Sequence, residues 1–152
     1  MTELLDTLQR LFVSLPHCAT LGFEFSGVED GKPTLKVNYR DDLVGNGSNG
    51  VIHGGGITSL VDTTSALSVF SHLSSAEAMA TLDLRIDYLK AATPGLPIYC
   101  TAECYKLARQ IGFTRAVCHH GDPADPIAHS VATFMRGSSN AILGGDATGA
   151  PL

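Results

Sequence analysis

The sequence predicts an α+β fold in which an antiparallel sheet wraps around one long buried helix, with a further helix at the N-terminus. Three observations carry this. Ile57, Leu60, Val61, Leu67, Val69 and Phe70 cover most of the circumference of the segment 54–71 at a 3.6-residue period. The segments on either side of it alternate apolar and polar residues at period two. The connections after it are short, which favours antiparallel pairing.

The elements follow in order. Leu4, Leu5, Leu8, Leu11 and Phe12 share one face of a helix over 3–14, with Thr2 as its N-cap and Pro16 as its stop. Leu21 to Val28 alternates as a strand. Glu29-Asp30-Gly31-Lys32-Pro33 is turn chemistry, and Leu35, Val37 and Tyr39 continue a hairpin. Residues 40–50 are polar and rich in Gly and Asn, a loop leading into the central helix. Ala80 to Tyr88 is the clearest strand, with Ala80, Leu82, Leu84, Ile86 and Tyr88 on one face and Thr81, Asp83, Arg85 and Asp87 on the other. Thr93-Pro94-Gly95 turns the chain. Strands follow at Ile98–Lys106, Ile111–His119 and Ile127–Arg136. Residues 1–136 form a single domain and 137–152, rich in Gly, Ser and Ala, a flexible tail.

Composition excludes several function classes. The chain has 152 residues, 44% of them hydrophobic and 16% charged, enough for one domain with a sizeable core. Net charge is −5 and Lys and Arg do not cluster, so no nucleic-acid face is expected. No apolar run is long enough to cross a bilayer. Glu3 and Asp6 stand where a signal peptide would be basic, and a cytoplasmic location is expected. Cys18, Cys100, Cys104 and Cys118 include no C-x-x-C pair and read as buried free thiols. Cys118, His119, His120 and Asp122 do not converge on a metal, because neighbours on a strand point to opposite faces.

The chemistry concentrates at His53-Gly54-Gly55-Gly56 and Asp62. A helix start exposes N–H groups that have no intrahelical partner, at the positive end of the helix dipole. Glycines there let a ligand oxygen approach the backbone. A carboxylate inside so apolar a helix is costly unless something uses or pairs it. Together these point to acyl chemistry. Gly45-x-Gly47-x-x-Gly50 matches a dinucleotide fingerprint but lacks the helix that must follow at once. No G-x-S-x-G elbow occurs. His17, His72 and His129 are isolated and read as structural or surface residues.

This order of elements resembles the hotdog fold, and its residues resemble the acyl-CoA thioesterases of the phenylacetic-acid type. The likeness rests on His53-Gly54-Gly55 with Asp62 nine residues after the His, on the strand Thr81 to Lys90 leading into Thr93-Pro94-Gly95, and on Leu21-Gly22 after the N-terminal helix. It covers roughly residues 5–136. The resemblance implies hydrolysis of a short, medium or aromatic acyl-CoA, with the CoA thioester as substrate and no cofactor or metal. It implies Asp62 as general base or nucleophile, the Gly55 N–H on the thioester carbonyl, and Thr81 holding the water. His53 joins this catalytic set as a base or as the cap that orders the loop. Gly54, Asn46, Asn49, Lys90 and Arg85 are the candidate substrate-binding residues, Lys90 foremost for the CoA phosphates, with Lys106, Arg109 and Arg115 behind. Many relatives carry an Asn six residues before the His, where this chain has Gly47.

Gly55 and Asp62 lie about 10 Å apart along a helix at 1.5 Å per residue. One thioester carbon cannot be within reach of both. A homodimer that shares its active sites, each combining the Gly55 of one chain with the Asp62 of the other, is therefore expected, and such dimers pair further into tetramers in more than one way. Leu60, Val61, Leu67, Met79 and Phe134 are candidates for the acyl pocket. The alternatives are a non-catalytic acyl-CoA-binding hotdog protein, favoured by Gly47, and an enoyl-CoA hydratase or dehydratase, disfavoured by the lone Asp.

Overall fold

In the computed structural model, residue 7 and residues 10–75 and 77–137 are described. The expected cap at Thr2, the apolar positions Leu4, Leu5 and Leu8, and the tail from 138 onward lie outside the described residues.

Residues 10–14 are helical, and the chain bends at Leu15. Pro16 does stop that helix, but it also opens α1 (Pro16–Leu21), where a missing N–H and a fixed φ suit the first helical position. Gly22, at φ +73°, closes α1, so β1 (Phe23–Glu29) begins two residues later than the alternation suggested. A hairpin joins it to β2 (Lys32–Val37). The expected loop 40–50 has internal order: a 3-10 turn (Asp41–Leu43), then β3 (Val44–Asn46) paired with β4 (Val51–Ile52). The central helix α2 runs Gly54–Phe70. β5 (Met79–Tyr88), β6 (Ile98–Leu107), β7 (Ile111–His119) and β8 (Ala128–Arg136) complete the fold.

Six strands form one antiparallel sheet in the order β1-β2-β6-β7-β8-β5. Its inner face packs Leu35, Ile98, Cys100, Thr114 and Phe134 against Leu60, Val61 and Leu67 of α2, all at most 1% exposed. Burying a side chain of this size is worth about 1.5–3 kcal/mol. The helix is less uniformly apolar than its sequence suggested. Thr64, Ser65 and Ser68 are also buried against the sheet. Thr64 Oγ1 donates to Leu60 O at 2.6 Å and Ser68 Oγ to Ser65 O at 2.7 Å, whereas Ser65 Oγ has no partner among the described residues. Gly55, Ser59, Asp62, Thr63 and Ala66 form a stripe that stays partly or fully exposed.

Candidate functional site

Asp62 sits two turns along α2, on the exposed stripe. It is half-buried, not buried as its helix had implied. Thr81 Oγ1 donates to its Oδ1 at 2.8 Å. Simple alternation puts Thr81 on the face opposite Leu84 and Ile86. The structure reverses this. Leu82 is an extra residue in the β5–β8 ladder, where Thr81 pairs with Phe134 and Asp83 with Thr133. The bulge shifts the side-chain phase by one. Leu82 is pushed outward, 50% exposed, and Thr81 turns in beside the buried Phe134.

An apolar cavity of about 250 Å³ opens beside this pair. Besides Asp62 and Thr81, its walls include Phe12, Leu15, Ala66, Phe70, Met79 and Phe134. Phe12 meets Phe70 edge-on with ring centroids 5.3 Å apart. Met79 and Phe134 were expected here. Leu60, Val61 and Leu67 instead pack into the sheet side of the core.

The helix start is built by four hydrogen bonds. His53 is the N-cap, and its Nδ1 accepts the Gly55 N–H at 2.9 Å. His53 O accepts the Gly56 N–H, also at 2.9 Å. The Gly55 amide expected on the thioester carbonyl is thus already bonded to the cap. The Gly54 N–H has no partner among the described residues. Tyr88 Oη, from the end of β5, donates to Gly54 O at 2.9 Å, and Thr58 Oγ1 donates to the same oxygen at 3.0 Å. Neither Gly54 nor Gly55 has a positive φ. They are needed for space: a Cβ at 54 would lie 3.1 Å from Tyr88 Oη, and one at 55 would lie 2.9 Å from His53 Nδ1.

The other candidates scatter. Asn46 Oδ1 accepts from Ser48 N and Oγ, and Asn49 Oδ1 accepts from Val51 N. Both amides shape the turn ahead of β4. Lys90 lies beside the helix start, in a hollow shared with Ile52, Gly54, Ile57 and Tyr88, and pairs with Asp125 at 2.6 Å. Arg85 does not join it. Its side chain is on the outer face of the sheet, bonded to Asp87 and sharing a groove with Lys32, Glu103 and Arg115.

His17 is not isolated, since its Nε2 lies 3.0 Å from Ser59 Oγ. That hydroxyl donates to Gly55 O, so its proton is not available for His17 to take. Cys18 packs beside this stripe, 3.6 Å from Thr63 Oγ1. Burial, aided by the Asp62 charge, pushes its thiol above the usual range. On β7, Cys118 points into the core opposite Cys100 while His119 points to the outer face, stacked on Tyr99 at 5.8 Å. Among the described residues no group of three or more His, Cys, Asp or Glu gathers around a common point.

Sequence reasoning missed Tyr88, Phe12 and Leu15. The contact of Tyr88 with the helix start joins residues 34 positions apart and leaves no periodic trace. Phe12 belonged to a recognisable apolar stripe, but nothing in the stripe says that it faces Asp62.

The sequence profile of the thioesterase superfamily matches residues 49–127. The medium/long-chain acyl-CoA thioesterase YigI of Salmonella typhimurium is 29% identical over 149 residues, spanning 89% of this chain and 95% of that protein. A crystal structure of a Pseudomonas aeruginosa protein is 41% identical, with a TM-score of 0.79, and covers 88% of this chain and 98% of that one. The PaaI protein of the E. coli phenylacetic acid degradation operon has the same fold at 19% identity, with a TM-score of 0.74 over 86% of this chain and 91% of that one.

Proposed function

Because the chain belongs to the thioesterase superfamily, carries its hotdog fold and is a thioester hydrolase, we propose that it cleaves acyl-CoA with Asp62 as base or nucleophile and the start of α2 as oxyanion donor. The observation that carries this reading is the Thr81–Asp62 hydrogen bond of 2.8 Å at the wall of an apolar cavity. Thr81 fixes one carboxylate oxygen. The other is left to take a proton from water or to attack the thioester carbon. The cavity receives a short, medium or aromatic acyl group, and the name of the Salmonella relative, a medium/long-chain enzyme, favours the longer end of that range.

Negative charge develops on the carbonyl oxygen as the tetrahedral intermediate forms. The free Gly54 N–H, backed by the helix dipole, is the donor best placed to meet it. The Gly55 amide supports it indirectly, through the His53 cap. Gly54 lies about 12 Å from Asp62 along the same helix at 1.5 Å per residue. One substrate carbon therefore needs the Gly54 of one chain and the Asp62 of another, in a homodimer with two shared sites. The exposed stripe of α2 and the edge of β5, unpaired among the described residues and with Leu82 and Tyr88 each about half exposed, support that pairing. Lys90, beside the helix start, is the cation nearest the route a CoA phosphate would take. The four free, buried cysteines accord with a reducing cytoplasm.

Gly47, at the place where the family resemblance leads one to expect Asn, favours a second reading: an acyl-CoA-binding protein without turnover. The deciding experiment is thiol release from a panel of straight-chain and aromatic acyl-CoAs, run with wild type and Asp62→Asn. The wild type is expected to turn over, and the variant to lose activity on the order of 10²–10⁴-fold with its fold intact. Wild-type rates from Asp62→Asn, or binding by the wild type without hydrolysis, would overturn the assignment.

A further inference from the structure

We propose that Tyr88 is a positioning residue for the oxyanion donor at the start of α2. The proposal rests on the assignment of that role to the Gly54 amide. Gly54 O and Gly55 N are the two ends of one planar peptide unit. Both ends are held. Tyr88 Oη and Thr58 Oγ1 donate to the oxygen at 2.9 and 3.0 Å, and the two hydroxyls lie 3.2 Å apart. His53 Nδ1 takes the N–H at 2.9 Å. The preceding peptide unit, which carries the Gly54 N–H, has its own oxygen bonded to the Gly56 N–H. Every polar end around the Gly54 N–H is therefore pinned, while that one donor stays open.

Of these ties, the Tyr88 hydroxyl is the one that comes from β5. The same strand carries Thr81 near its other end, against Asp62. One strand thus sets both halves of the site: the carboxylate of its own helix through Thr81, and the amide at the helix start through Tyr88. Hydroxyl donation to Gly54 O holds the Gly54–Gly55 plane, and through the shared Gly54 Cα it restrains rocking of the His53–Gly54 plane that carries the donor. The absence of a side chain at position 54 is part of the device, since a Cβ there would crowd Tyr88 Oη at 3.1 Å. The ring of Tyr88 is 51% exposed, so removal of its hydroxyl leaves the core untouched.

The test is Tyr88→Phe beside wild type and Asp62→Asn, assayed with whichever acyl-CoA of the panel the wild type hydrolyses fastest. A donor aligned for the transition state acts on kcat, so kcat is expected to fall on the order of tenfold while KM stays within about twofold. The ¹H–¹⁵N resonance of Gly54 should move, that of the remote Gly95 should not, and the thermal midpoint should hold. Unchanged kcat, KM rising in step with the loss, or an unmoved Gly54 resonance overturns the role of Tyr88. An active Tyr88→Phe beside a dead Asp62→Asn removes the positioning role and leaves the thioesterase standing. A wild type without turnover removes the thioesterase, and the Gly54 resonance still decides whether Tyr88 holds the peptide.

Discussion

Thr81 and Asp62 are joined by a hydrogen bond of 2.8 Å that the plain alternation of β5 forbids. The hydroxyl reaches the carboxylate because the ladder has slipped by one residue at Leu82. A hydrogen bond to a charged acceptor is worth about 1.5–3 kcal/mol, or roughly 10–100-fold in rate if it acts in the transition state. Thr81→Val, which keeps the shape and removes the donor, is expected to lower kcat by that factor. Thr81→Ser should retain most of it. Equal kcat for Thr81→Val and wild type in the thiol-release assay would remove Thr81 from the site.

Two positions in α2 are expected to gain stability when changed to Ala. A Cβ at Gly56 would meet Ile52 Cγ2 at 3.7 Å, an ordinary contact. Gly56→Ala should therefore stabilise by about 0.5–1 kcal/mol through reduced backbone entropy of the unfolded chain. Ser65 Oγ is buried with no partner among the described residues, and removing it should gain about 1–2 kcal/mol. Urea midpoints measure both. A lower midpoint for Ser65→Ala would mean that the hydroxyl is bonded in solution.

The order of elements was legible because each carried its own period. The expected helix 54–71 is α2, and the three strands after Thr93-Pro94-Gly95 agree within a residue or so at either end. What could not be read depends on registry or on distant partners. A single extra residue at Leu82 inverts the facing of Thr81, and no residue type announces a bulge. The role of His53 as cap was foreseeable from its place. The bond from its ring to Gly55 is local and belongs to that cap, whereas the tie of Tyr88 to Gly54 spans 34 positions and leaves no mark in composition. Arg85 was a candidate only because it is basic and near the key strand. Its facing, which the alternation did contain, sends it to the outer surface.

His119 should impose a pH dependence on stability. It is 5% exposed, and burial holds its imidazole below the ordinary value, with Asp122 opposing the shift and His120 adding to it. Its Nδ1 accepts the Gly121 N–H at 3.0 Å, which requires that nitrogen to be unprotonated. The unfolded chain, with a pKa of about 6.5, takes up the proton first. Stability is therefore full above about pH 6.5 and falls as the pH drops from there toward the folded-state value. Chemical unfolding of wild type and His119→Gln between about pH 7.5 and 5.5 checks this. The variant should show a flatter profile, and an identical slope would rule out His119 as the cause.

All four cysteines are free and buried. Burial raises the Cys18 and Cys104 thiols, and the Cys100 thiol together with burial raises that of Cys118. Thiolate is the reactive form. Ellman's reagent near neutral pH is expected to leave the folded protein unmodified and to titrate four thiols in denaturant. Rapid reaction of one thiol in the native protein would contradict the packing around α1 or β6.

Gly47 has nothing within 4 Å of a built Cβ and no positive φ. Gly47→Asn should fold as well as wild type. If an amide there helps to hold the thioester carbonyl, kcat should rise severalfold, while an unchanged kcat would show that this chain works without one.

The extra residue at Leu82 makes β5 a strand that can be shortened at one place without moving its site residue. Substituting Leu82 with Ser alters only an outward position, and deleting it would restore strict alternation along the strand. Thr81 would stay opposite Phe134, now followed directly by Asp83 opposite Thr133, so its hydroxyl would keep its inward facing at the carboxylate. In a library of single-codon deletions, activity should survive the loss of Leu82 and vanish with the loss of Thr81.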